Sequence, residues 1–155
     1  MKNKNIIIAV GIVVLLAATI GYYTSRQINN PETEIRSLVT EFGTKLWMVS
    51  LAAPSSTVIQ SIKDNYVPYI SQGLLEGWEM APERAPGKSS LETEPTGIEI
   101  FSIELTDDGA YEVQAKVVEA SLSGGSTPLG YPLGLKLRNQ GGKWVITGAT
   151  KAIQN

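Results

Sequence analysis

The hydrophobic pattern of this chain changes period once, and that change sets the fold class. From residue 31 to about residue 78 apolar side chains recur at helical spacing; from residue 97 onward they alternate. A 3.6-residue period followed by a period of two places helices first and strands afterwards, an α+β layout.

The helical part opens at Asn30 and Pro31, with Glu32 and Glu34 placed to complement the dipole of a first turn. Ile35, Leu38, Val39, Phe42, Leu46 and Val49 then form one stripe, with Trp47 at its margin, and the spacing predicts a long amphipathic helix as far as Ala53-Pro54. Ser55 or Ser56 can cap a second helix, with Val58, Ile59 and Ile62 inward, that stops before Pro68. A third, over residues 68–78, would bury Ile70, Leu74, Leu75 and Trp78, although Gly73 and Gly77 weaken it. Residues 81–96 hold Pro82, Pro86, Gly87 and Pro95 and read as a loop.

Alternation begins at Gly97. Ile98 and Ile100 are out of phase with Ile103 and Leu105, which predicts a bulge near Phe101 and Ser102. Asp107-Asp108-Gly109 is a hairpin turn into a second strand over 110–120, alternating through Tyr111, Val113, Ala115 and Val117. Residues 121–130 read as a flexible connection. Leu133, Leu135 and Leu137 mark a third strand, and a turn at 139–142 leads to a fourth with Trp144 and Ile146 inward. The expectation is a four-stranded antiparallel sheet in sequence order, curled over the helices.

Ahead of this region, residues 6–23 are eighteen positions without a charge, about 27 Å of helix and enough to cross a bilayer. Lys2 and Lys4 precede the run and Arg26 alone follows closely. The positive-inside tendency keeps residues 1–5 in the cytoplasm and puts residues 31–155, a soluble domain behind a tether at 24–30, outside it. A cleaved signal peptide is the competing reading. Thr19 stands where a lipoprotein signal needs its cysteine, so lipid attachment there is excluded.

Histidine and cysteine are both absent. That removes the usual ligation of zinc, haem and iron–sulfur clusters, Ser-His and Cys nucleophiles, and disulfides, and no cofactor is expected. With Lys2, Lys4 and Arg26 set aside, ten basic side chains face 15 acidic ones, an excess of five negative charges. Such a surface repels phosphate backbones, so nucleic acid is not an expected partner. Gly87-Lys88-Ser89 lacks the glycine that a phosphate-binding loop has five residues earlier, where Pro82 stands.

Helices followed by a curved sheet that ends in Gly142-Lys143-Trp144-Val145-Ile146 resemble the NTF2-like cone (cystatin-like) over roughly residues 31–152. More locally, Val49-Ser50-Leu51, Ala53-Pro54, Tyr66, Tyr69-Ile70-Ser71, Leu74-Leu75, Trp78, Ala85-Pro86-Gly87-Lys88 and Ile98-Glu99-Ile100 resemble a family of single-pass membrane proteins from Gram-positive bacteria with no assigned activity. That family tends to have Arg where Lys88 stands here, and a Trp-Pro pair where this chain has residues 91–95. The resemblance implies an extracytoplasmic module. NTF2-like domains in that setting serve as assembly parts of secretion and conjugation channels, as accessory domains of cell-wall enzymes, or as ligand cones, and fold alone does not choose among them.

If the cone is hollow, Tyr66, Tyr69, Trp78 and Tyr111 are candidates to line its mouth for an apolar molecule, peptide or glycan; core packing is the plainer account. Arg84 and Lys88 are candidates to hold a partner's carboxylate or a glycan, against the reading of their loop as a rigid closure of helices onto sheet. Asp64 and Glu119 are the carboxylates closely flanked by apolar positions and the only candidate bases for an isomerase or hydrolase. Without an assembled acid–base pair no catalytic residue is assigned. The leading expectation is a non-enzymatic docking or scaffold module among envelope proteins of secretion, conjugation or wall maintenance; self-association stays open.

Overall fold

Helix α1 (Pro31–Gly43) starts where the Asn30 side chain accepts the Glu32 N–H at 3.0 Å and its carbonyl accepts from Thr33 and Glu34. This computed structural model describes residues 30–123 and 129–151. The expected membrane segment at 6–23 and its tether at 24–29 lie outside the described residues. Among the described residues no helix is long and apolar enough to cross a membrane. A compact unit begins at Ile35, and residues 30–34 fall with the unit before it.

Ile35, Val39, Phe42, Leu46 and Val49 are all fully buried, as the stripe predicts, yet the helix stops at Gly43 rather than near residue 53. A Cβ at Gly43 would stand 2.9 Å from the backbone nitrogen of Ile98, so the chain there passes directly against a strand. Leu46–Met48 form a 3-10 turn, and Ser50 then makes a parallel bridge with Lys88. Three conformations in succession keep the same side chains inward, which is why spacing alone reads as one helix.

Helix α2 (Ser55–Tyr66) buries Val58, Ile62 and Tyr66. Helix α3 (Gln72–Met80) starts four residues later than expected, capped by Ser71, whose hydroxyl accepts the Leu74 N–H at 3.3 Å. The residues before it are taken by the sheet: Ile146 donates to the Tyr69 carbonyl at 2.9 Å and accepts from Ser71 at 2.9 Å. Backbone groups so placed cannot also enter a helix.

The sheet is antiparallel in the order β1-β2-β3-β4, with β1 (Thr93–Leu105), β2 (Tyr111–Ser121), β3 (Leu129–Gln140) and β4 (Lys143–Lys151). β1 begins four residues before Gly97, carrying Pro95 on its free edge, where a missing N–H is tolerated. Its register slips between Pro95 and Gly97 and again between Ile100 and Ser102, the second slip lying where the phase change predicts it. β3 also begins earlier than expected. Val113, Ala115, Val117, Leu133, Leu135, Leu137 and Ile146 form the inner face, packed on the helices. Asp108, in the β1–β2 turn, accepts from Lys136 at 3.0 Å and from the Arg138 guanidinium, tying that turn to β3.

Candidate partner-binding surface

Three of the four aromatics singled out by sequence meet inside the protein. Phe42 lies edge-on to Tyr66 with centroids 4.9 Å apart, Tyr66 meets Trp78 at 5.9 Å, and Tyr69 tilts on Phe42 at 6.0 Å. Tyr66 and Trp78 are buried and Tyr69 half-buried, so these rings fill the space between α1, α2 and α3. Tyr111 stands apart from them, perpendicular to Trp144 at 5.3 Å.

The loop at residues 85–88 is fastened from two sides. The Tyr66 hydroxyl donates to the Pro86 carbonyl at 2.7 Å, and the Tyr131 hydroxyl accepts from the Gly87 N–H at 3.1 Å while lying 3.4 Å from the Gly87 carbonyl. A Cβ at Gly87 would come within 2.6 Å of the Val49 carbonyl, so only glycine lets the strands of this bridge approach. Lys88 donates its N–H to Val49 at 2.9 Å and accepts from Leu51 at 2.8 Å. Of the two cations proposed for this loop, Lys88 is therefore held by its backbone with a half-buried side chain, whereas Arg84 is exposed at the end of a 3-10 turn. Through these bonds the loop ties the helical layer to the sheet.

The two candidate carboxylates separate sharply. Asp64 is exposed on α2 and accepts from Gln60 at 2.8 Å. Glu119 is only 8% exposed, and its Oε1 has no hydrogen-bond partner among the described residues. It shares the inner face of the sheet with Tyr131 and Lys151, on three neighbouring strands. Burial pushes the Tyr131 hydroxyl up to about 12, against its bond to Gly87 and with help from the Glu119 charge. The Lys151 ammonium lies 4.5 Å above the Tyr131 ring; desolvation lowers its pKa while Glu119 works the other way. Tyr131 and Lys151 were not singled out by sequence. The signal for Tyr131 is its phase with Leu133, Leu135 and Leu137, one residue beyond the stretch read as a connection.

Outside the core, several large apolar side chains face solvent, three of them on or beside β1. Trp47 is 50% exposed beside the start of β1, where Thr44, Trp47, Glu94, Pro95 and Thr96 line a depression of about 390 Å³. Further along the same strand Phe101 is 63% and Leu105 64% exposed. Phe101 is the extra residue of the second bulge: Ile100 pairs with Ala115 and Ser102 with Gln114, leaving Phe101 without a cross-strand partner. Bulges redirect a side chain, and this one turns a phenyl ring to water. On the outer face of the sheet a second, larger depression of about 580 Å³ lies over Gly134 and Gly148, between Glu112, Gln114 and Lys136.

No protein-family model matches the chain. No curated protein matches it either. Among solved structures it is similar to one described as an Ntf2-like, potential transfer protein TraM from Gram-positive conjugative plasmid pIP501, at 12% identity over 80% of this chain and 99% of that chain, with a TM-score of 0.46. At that identity and TM-score the likeness carries no argument of its own, and the α+β layout of three helices and a four-stranded antiparallel sheet among the described residues stands on the elements themselves.

Proposed function

We propose that this chain is a non-enzymatic docking module of the NTF2-like type, held at a membrane through residues 6–23 with residues 31–155 outside the cytoplasm, and that it joins other envelope proteins through the free edge of β1. One observation carries the reading: the edge strand exposes Phe101 on a bulge and Leu105 beyond it, with Trp47 exposed at its start. Large apolar groups on an open strand edge are an association hazard unless a partner covers them. A different protein suits this edge better than a second copy paired antiparallel about Glu99, where Glu94 would stand against Glu104, like charge against like. Affinity purification from crosslinked membranes tests the proposal. Stable neighbours are expected with the native chain and not with a Phe101→Ser, Leu105→Ser double variant; recovery of the native chain alone at full yield contradicts it.

A ligand-binding reading draws support from the Glu119 oxygen that has no partner among the described residues. It expects a molecule donating an N–H or O–H to that carboxylate, and a Glu119→Gln chain that has lost it. The filled space between sheet and α1, where Ile35, Val39 and Phe42 are fully buried, makes this the second reading.

A further inference from the structure

The depression at the start of β1 has a chemistry distinct from the apolar edge that follows it. The indole of Trp47 is half exposed on its wall, although a ring of that size ordinarily finds cover in a core. Glu94 lines the same depression, half-buried, and takes part in no ion pair among the described residues. Pro95 and the two threonines, Thr44 and Thr96, complete the lining with small or rigid groups. Thr96 is held in place, its hydroxyl donating to the Val118 carbonyl at 3.2 Å. Glu92, two residues before Glu94, and Glu41, three before Thr44, are exposed and add negative charge; Lys45 is half-buried and is not part of the lining.

An indole face attracts cations more strongly than any other side-chain ring, and a carboxylate beside it supplies the counter-charge. A guanidinium can stack on the first while forking to the second. A neutral apolar side chain would cover Trp47 but leave Glu94 partly desolvated with nothing to pair with, which disfavours it. We propose that this depression receives an arginine or lysine side chain from an extended segment of a partner protein, selecting cationic over neutral residues at that position. The inference rests on the docking reading and adds to it the charge of the partner. It accords with the surplus of acidic residues in the region that follows the anchor.

The test uses the full-length chain in detergent micelles, with its three tryptophans labelled and the Trp47 indole N–H resonance assigned by its loss in Trp47→Phe. Two terminally blocked peptides are titrated, Ala-Leu-Arg-Leu-Ala and the same peptide with citrulline, the neutral isostere, at its centre. The expected result is a saturable shift of the Trp47 resonance with the arginine peptide and at least tenfold weaker binding with citrulline. Glu94→Gln should bring the arginine peptide down to the citrulline level while the Trp78 and Trp144 resonances stay put, showing an intact fold. Equal titration by both peptides, or a Trp47 resonance unmoved by either up to millimolar concentration, overturns the inference. Because this titration reads Trp47 alone, it can fail while crosslinked neighbours are still recovered; that combination removes the cationic site and leaves the docking reading standing.

Discussion

The two edges of the sheet are finished in different ways. At β4 the chain segment before α3 lies alongside, and Ile146 exchanges hydrogen bonds with Tyr69 and Ser71. At β1 the end of α1 and Trp47 lie against residues 94–98, and residues 99–105 run on with β2 as their neighbour on one side, Phe101 and Leu105 facing water. A covered edge contributes to the stability of the fold. An open edge contributes little to it and is restrained from indiscriminate pairing by bulges, a proline and three glutamates, the devices by which edge strands avoid aggregation. Residues conserving the fold and residues available to a partner should therefore separate by edge.

Truncation at the covered edge should have the largest effect. Ile146→Ala removes a fully buried side chain and should cost about 2–5 kcal/mol in urea denaturation; a loss under about 1 kcal/mol would mean that the β4 edge is not part of the core. Next comes the loop that joins the two layers. Tyr66→Phe keeps the ring contacts but leaves the buried Pro86 carbonyl without its donor, at a cost of about 1–3 kcal/mol, with faster amide exchange expected at Gly87 and Lys88.

The alkaline limb of stability sharpens the same point. Tyr131 has a folded value of about 12 against 10.0 unfolded, so between these values the unfolded chain binds fewer protons and stability falls as pH rises. Its contribution is fully present below pH 10 and is lost through about 12. Lys151, held below its ordinary value, works in the opposite direction at lower pH. Comparing the native chain with Tyr131→Phe by denaturation from pH 9 to 12 isolates the tyrosine: the variant should show a shallower fall. The smallest effect belongs to the open edge. Phe101→Ser should change stability by no more than about 0.5 kcal/mol; a loss of several would show the ring to be structural and break the comparison.

Much of this contrast was legible in the sequence. The phase slip between Ile100 and Ile103 located the bulge that exposes Phe101, and the Asp107-Asp108-Gly109 turn and the alternation through Val113, Ala115 and Val117 fixed the first hairpin. The end of α1 was not legible, because Leu46 and Val49 stay inward through a 3-10 turn and an extended bridge at the same spacing a helix would give. The covering of β4 by residues 69–71 is a long-range pairing with no local signature. Nor could spacing tell that Trp47, at the margin of a buried stripe, would face solvent. Those outcomes depend on which elements meet.

The open edge as the docking surface is tested most directly by placing a photoreactive benzophenone side chain at position 101 and, as a control, at the exposed Gln60 on α2, in the full-length chain within native membranes. The account predicts one discrete heterologous adduct on irradiation from position 101 and none from position 60. Adducts of equal yield from both positions, or none from position 101, would contradict it.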